Sequence, residues 1–247
     1  MAAGGALACG SSGYTYAGLA SAQKTYGVGA QVTAIGAPAV SGANGHVAGW
    51  VGVGGPKQGP NGSDEWIQVG FSGFAGSANS QLYFEVTRAG SSPTYHTVET
   101  DLPPGTTRQL AVLELAGKPD WWRVWVDGRA VSKPIYLPGS DGSWPGIATA
   151  ESWSESKAGA CNAFGYRFDD VVVAQHSGGS WRTLSDALPI RSGANKLVMP
   201  ASSGSSSFEA LAGDVLQVSR PLPKPHEPAP GTVLVAGTRS TASAAAH

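Results

Sequence analysis

Apolar and polar residues alternate in short runs along this chain. In residues 81–88 (QLYFEVTR), Leu82, Phe84 and Val86 occupy every second position. A β-strand places successive side chains on opposite faces, so this alternation predicts a strand with one buried face. The same pattern predicts strands over residues 26–35, 46–53, 65–71, 108–115, 121–126, 129–137, 144–153, 164–174 and 205–210.

Turn-forming residues separate these runs. Asp127-Gly128 follows the run 121–126 and is the clearest hairpin signal, with 129–137 as the return strand. The chain has 35 glycines and 17 prolines, and it lacks the periodic Ala, Leu, Glu and Lys runs of long helices. About ten short strands joined by turns predict an all-β fold, a sandwich of two antiparallel sheets.

The sequence predicts one domain with two different ends. We expect the β-sandwich to span residues 13–217 and the Pro-, Ala- and Ser-rich segment 218–247 to be a disordered tail. Residues 1–12 are either the remnant of a signal or a flexible N-terminus, since Ala6-Leu7-Ala8 resembles the end of a secretory signal. The basic start of such a signal is missing. We therefore expect a secreted protein whose signal is incomplete in this chain.

Charge and length exclude two kinds of partner. The formal net charge is −1 and the basic residues are scattered, whereas a nucleic-acid surface clusters Lys and Arg. No apolar stretch reaches the roughly 18 residues that a membrane-spanning helix needs. We expect a monomer that binds neither nucleic acid nor membrane.

Cysteine and histidine provide few candidate sites. Cys9 and Cys161 are the two cysteines. In an exported protein they are expected either to form a disulfide or to remain two unpaired thiols. The five histidines show no metal-ligand spacing and no catalytic triad order, so we expect neither a metal site nor a cofactor.

When the apolar positions are assigned to the core, an unusual set of residues remains on the opposite face. Three tryptophans, a tyrosine and several carboxylates on one surface predict a binding groove, provided that their strands share a sheet. The alternative is that these residues pack beneath a loop or against the tail. The set comprises Trp50, Trp66, Gln68, Tyr83, Glu85, Glu151, Trp153 and, if its strand continues, Glu155.

Four short segments in this set resemble the glutamic peptidases, or eqolisins, in the same order along the chain. They are W-V-G-V-G-G at 50–55, I-Q-V-G-F at 67–71, Y-F-E-V at 83–86 and T-A-E-S-W-S-E at 149–155. The resemblance implies a concanavalin A-like jelly roll. It also implies an endopeptidase acting on peptides at acid pH, with a glutamate-activated water and a glutamine that stabilises the oxyanion.

The resemblance also implies roles for single residues. Gln68 matches the catalytic glutamine. Glu155 matches the catalytic glutamate on direct spacing, whereas Glu151 replaces it if Ser152 is an insertion. The residues implied to line the substrate subsites are Trp50, Trp66, Tyr83, Glu85 and Trp153. The chain departs from the family at Gly54 and Ser72, where the family has aspartates, and at Val86, where it has a tryptophan.

Two other functions are compatible with the same residues. One is a non-catalytic extracellular module that binds a glycan or a peptide on its aromatic side chains. The other is a glycoside hydrolase that uses Glu85 together with Glu151 as its carboxylate pair.

Overall fold

The computed structural model describes residues 13–154, 162–191, 196–198 and 206–213. Within these ranges nearly all regular structure is β-strand, apart from one short 3-10 turn at Pro60–Gly62. Sixteen strands form two sheets, and every strand pair is antiparallel. The predicted all-β, two-sheet sandwich is confirmed.

The first sheet has seven strands. In spatial order they are β14 (Ala187–Arg191), β1 (Gly13–Thr25), β11 (Trp144–Ser154), β3 (His46–Gly55), β4 (Glu65–Phe74), β5 (Ser80–Thr87) and β6 (Thr94–Leu102). The four strands that carry the predicted site, β11, β3, β4 and β5, are therefore adjacent.

The second sheet has nine strands and closes the other side of the core. Its main order is β10 (Ile135–Tyr136), β8 (Trp121–Val126), β7 (Thr107–Glu114), β2 (Gly27–Ala34), β12 (Phe164–His176), β16 (Phe208–Ala212) and β15 (Lys196–Val198). Two further strands pair at its sides, β13 (Gly179–Thr183) with β12 and β9 (Arg129–Ala130) with β8.

The core lies between the sheets and follows the predicted alternation. Val51, Val69 and Phe84 from the first sheet belong to one continuous buried cluster with aromatic residues of the second sheet, among them Phe168 and Phe208, whose rings stack at 4.6 Å. Burial of these apolar faces is the main stabilising contribution to such a sandwich.

The hairpin prediction is confirmed, whereas its return strand is shorter than expected. Asp127 and Gly128 both have positive φ, as a tight two-residue hairpin turn requires. Only β9 and β10 form in the expected 129–137 strand. Pro134 lies between them and has no amide hydrogen to donate to a neighbouring strand.

The structure also contains strands that alternation did not predict. In β6 almost all side chains are exposed, so no apolar period marks it. In β1 the residues are mostly small or polar, and its pairing with β11 shifts register between Ala20 and Lys24. The last predicted strand, at 205–210, is observed slightly later as β16.

Two carboxylic acids are completely buried at one end of the sandwich. Glu65 begins β4 and Glu114 ends β7, and one oxygen of each has no hydrogen-bond partner among the described residues. The pKa of Glu114 is raised to about 7, chiefly by burial and also by nearby Asp141, although the Asp120 amide lowers it by donating a hydrogen bond. Glu114 is therefore protonated when the protein is folded in acid.

We expect Glu114→Gln to stabilise the protein in neutral solution and to change little in acid. The pKa of Glu114 rises from 4.5 to about 7 on folding, so the wild type loses stability as the pH rises across this range. In neutral solution the substitution should therefore raise the free energy of unfolding by at most about 3 kcal/mol. Denaturant unfolding at pH 4 and pH 8 measures this change. Glu99→Gln removes an exposed ion pair with Arg108 and should not stabilise the protein at pH 8, so it is a control of opposite sign. An equal effect of Glu114→Gln at both pH values would contradict this account.

Candidate functional site

The predicted site residues lie on one face of the first sheet, the face directed away from the core. Gln68 of β4 is in register with Gly52 of β3 and Glu85 of β5. Because residues directly opposite each other in a ladder share a face, the same pairing can be followed across the sheet. It places seven predicted residues on this outer face: Trp50, Trp66, Gln68, Tyr83, Glu85, Glu151 and Trp153.

Three predicted site residues cannot be located in the same way. Glu155, the second candidate for the base, lies outside the described residues. Cys9 and Cys161, the predicted disulfide partners, lie outside them as well.

The centre of the outer face is more closely packed than the predicted open groove. Trp50 is 8% exposed, Tyr83 2%, Gln68 6% and Glu151 7%. Trp50 and Tyr83 form a small apolar cluster of their own, separate from the core between the sheets. Aromatic rings on neighbouring strands cover one another here, so the polar side chains among them are also shielded from water.

Glycines on the outer face make room for these side chains. A Cβ atom on Gly70 would lie 2.5 Å from the Cβ of Trp50, and one on Gly52 would lie 2.7 Å from the Cβ of Gln68. Distances under 3 Å are not tolerated between carbon atoms. The glycines of the W-V-G and Q-V-G segments therefore allow Trp50 and Gln68 to take their places.

Hydrogen bonds between β4 and β5 fix two of the polar side chains. The Gln68 amide donates from Nε2 to the Tyr83 hydroxyl oxygen at 3.0 Å. The Trp66 indole donates from Nε1 to Glu85 Oε1 at 2.9 Å. Both bonds cross the same strand pair, so β5 orients the two polar residues that β4 presents.

Glu151 reaches the outer face from β11, on the other side of β3. It lies opposite Tyr16 of β1 and Ala48 of β3, and its Oε1 is 3.5 Å from Nε2 of His46. Followed through Gly52, the register partner of Gln68 on β11 is Ile147, four residues before Glu151. Gln68 and Glu151 are thus placed diagonally across β3.

The electrostatics connect the two halves of this face. Burial raises the pKa of Tyr83 well above its ordinary value, and the charges of Glu151 and Glu85 raise it further. Burial also raises the pKa of Glu85; the Trp66 hydrogen bond lowers it, Glu151 raises it and His46 lowers it. The charge of Glu151 therefore raises the pKa of the tyrosine that holds Gln68, and it also raises the pKa of Glu85.

Several residues of the outer face were not among those predicted. Their rings adjoin one another across strands: Tyr95 stacks on Tyr83 at 4.8 Å, and His46 stacks on Trp153 at 6.0 Å. The face also includes Tyr14 and Tyr16 of β1, whose rings are 6.0 Å apart. His46 could have been found by its even spacing from Trp50 on β3, whereas β1 and β6 carry no clear alternation.

Two of the three departures from the glutamic peptidase pattern, at Ser72 and Gly54, can be explained by the local structure. Ser72 is buried, and its hydroxyl shares a 2.7 Å hydrogen bond with the Tyr95 hydroxyl. Gly54 has a φ of +85°, and a Cβ there would lie 2.3 Å from the Glu65 carbonyl oxygen. An aspartate cannot occupy position 54 unless the backbone changes.

Sequence comparison and structure comparison give different results. No protein-family model matches the chain, and no curated protein sequence is a significant relative. Scytalido-glutamic peptidase bound to a peptide-based transition-state analogue superposes with a TM-score of 0.56 at 17% identity. SCP-B, an eqolisin-family peptidase in complex with the tripeptide Ala-Ile-His, superposes with a TM-score of 0.51 at 16% identity. Each match covers 83% of this chain and 100% of the other.

The chain has the fold of the glutamic peptidases. The resemblance inferred from the four short segments is confirmed at the level of the fold, at a sequence identity of 16–17%. In the described part of the chain, no helix is long and apolar enough to cross a membrane.

We expect Tyr83→Phe to destabilise the protein because it removes the acceptor of the buried Gln68 amide. Leaving such a donor unpaired costs about 1–3 kcal/mol of the free energy of unfolding. Denaturant unfolding measures the loss, and Tyr136→Phe, which changes an exposed tyrosine on the other sheet, is the control. Equal stability of the two variants would show that the Gln68–Tyr83 bond does not hold the outer face together.

Proposed function

We propose that this protein is a glutamic-type endopeptidase whose site is the outer face of the first sheet. One observation carries the proposal: a buried glutamine, Gln68, and a buried glutamate, Glu151, occupy the same face. Tyr83 accepts a hydrogen bond from the Gln68 amide, and the charge of Glu151 raises the pKa of Tyr83. Neither side chain is needed for the core, which lies on the opposite face of the same strands.

Glu151 is the proposed general base. Its carboxylate accepts a proton from a water molecule as the water attacks the scissile carbonyl, and the resulting acid then protonates the leaving amine. Gln68 is the proposed electrophilic group, since its amide can donate a hydrogen bond to the oxyanion that forms on the attacked carbonyl. Tyr83 fixes the orientation of the amide before substrate arrives.

The surrounding side chains suit a peptide substrate. The Trp50 indole Nε1 is buried and has no hydrogen-bond partner among the described residues, so a peptide carbonyl could accept from it. Trp66, Glu85 and Trp153 are partly exposed around it and would line the subsites. Two structures with this fold hold peptide-based ligands, a transition-state analogue and a tripeptide, which supports the same class of substrate here.

We propose that the protein acts in an acid medium outside the cell. Burial raises the pKa of Glu85 on the outer face and of Glu65 and Glu114 at the end of the sandwich, so acid pH removes unfavourable buried charges. Glu155 remains the second candidate for the base, and substitution can distinguish it from Glu151.

We expect Gln68→Ala and Glu151→Gln each to abolish casein cleavage near pH 3–4 while the protein stays folded. Loss of one oxyanion donor costs about 100-fold or more in rate, and an amide cannot deprotonate water. The matched controls are Gln31→Ala, which changes an exposed glutamine of the other sheet, and Glu99→Gln.

Circular dichroism checks the fold of each variant, and Glu155→Gln is assayed in parallel. If Glu155→Gln is inactive and Glu151→Gln is active, Glu155 is the base instead. A wild-type protein that cleaves no peptide between pH 2 and pH 8 excludes the peptidase function altogether.

The alternative is a non-catalytic binding module, and the aromatic lining of the outer face favours it. Rings on β1, β3, β5, β6 and β11 offer stacking surfaces for a peptide or a glycan. The departures at Gly54 and Ser72 also separate this chain from the active peptidase pattern.

On this alternative, we expect Trp50→Ala to lower ligand affinity at least about tenfold because a buried indole contributes more than 1.4 kcal/mol to binding. Gln68→Ala would leave the affinity unchanged. Calorimetric titration with peptide and oligosaccharide libraries tests this, with Trp121→Ala, on the other sheet, as control. Unchanged affinity in Trp50→Ala would exclude the module.

A further inference from the structure

A histidine stands beside the proposed base. His46 begins β3, and its Nε2 lies 3.5 Å from Glu151 Oε1. Its ring stacks on Trp153 at 6.0 Å and meets Tyr14 edge-on at 5.8 Å. The imidazole is 25% exposed on its side chain, whereas the Glu151 side chain is 9% exposed. The aromatic neighbours therefore hold the His46 imidazole, which solvent can reach, against the Glu151 carboxylate, which is almost completely buried.

Five other ionisable groups whose pKa the Glu151 charge raises surround it, and none of the five is a cation. Four are phenols, which can donate hydrogen bonds to a carboxylate but carry no positive charge, and one is a carboxylic acid. These groups are Tyr14 and Tyr16 of β1, Tyr83 and Glu85 of β5, and Tyr166 of β12. His46 acts on one of these groups in the opposite direction from Glu151, because it lowers the pKa of Glu85 whereas Glu151 raises it.

We propose that His46 is a positioning residue that pairs as a cation with Glu151 and keeps this glutamate ionised in acid solution. The inference rests on the proposed function, in which Glu151 must be ionised to accept a proton from water. The stacking on Trp153 fixes the imidazole, and the contact at Nε2 fixes one carboxylate oxygen.

This arrangement gives the site a defined range of pH. In acid the imidazole is protonated, and the cation favours the carboxylate beside it. Without the cation, Glu151 would take up a proton at a higher pH and the base would be lost sooner on acidification. The pair should thus extend activity toward lower pH, and its effect should disappear where the imidazole is no longer protonated.

The first test is the pH profile of kcat/KM for peptide cleavage. In His46→Gln we expect the acid limb to move upward by about half a unit to one unit, a three- to tenfold loss on that side. The plateau should change less than about threefold, since the base is ionised there in both proteins. His46→Lys restores a cation and should return the acid limb toward the wild type. The matched control is His96→Gln, an exposed histidine of β6.

A second measurement does not depend on activity. In the wild type, NMR titration of the His46 imidazole should show a midpoint about half a unit or more higher than in Glu151→Gln, because the carboxylate stabilises the cation. If the protein cleaves no peptide but this shift is present, the proposed function fails and the pairing stands. An unchanged midpoint in Glu151→Gln overturns the pairing, and a uniform loss of activity at all pH values in His46→Gln overturns its role in setting the pH range.

Discussion

Polar side chains on a buried sheet face are stabilised by partners on the adjacent strands, and three of those on the outer face of this protein have such partners. The Gln68 amide, the Trp66 indole and the Glu151 carboxylate each meet a group from another strand. An unpaired polar group in such a position would cost more than a typical hydrogen bond contributes. The partners therefore fix the relative positions of β11, β3, β4 and β5, and they define the geometry of the site.

The same strands satisfy a second demand on their inner faces. Val51, Val69 and Phe84 lie between the residues of the site and pack into the core. A shift of one residue in any of these strands would exchange core and site. Core packing thus enforces the register that brings the amide and the carboxylate onto one face, and the site needs no separate scaffold.

Alternation along the sequence was enough to predict this division but not its details. It assigned Gln68, Tyr83 and Glu85 to the outer face because a period of two separates faces within each strand. It could not predict which strands adjoin, because pairing is decided by contacts distant in sequence. For the same reason it missed the Gln68–Tyr83 bond, the approach of His46 to Glu151 and the close packing of Trp50.

Strands without alternation escaped prediction for a different reason. The edge strand β6 is exposed on nearly every residue, yet it contributes Tyr95, which stacks on Tyr83 and shares a hydrogen bond with the Ser72 hydroxyl. Its place is decided by pairing with β5 rather than by burial of its own side chains. A site built partly from an edge strand therefore carries a weak signal in the sequence.

The low identity to the glutamic peptidases is compatible with a shared fold because the fold requires a particular residue at only a few positions. Gly52 and Gly70 are required where side chains crowd, and apolar residues of many kinds can fill the inner face. Position 54 illustrates the opposite case, since its positive φ and its approach to the Glu65 carbonyl exclude an aspartate. The two positions at which the resemblance would place aspartates thus differ for separate structural reasons: Gly54 has a positive φ, and Ser72 shares a hydrogen bond with Tyr95.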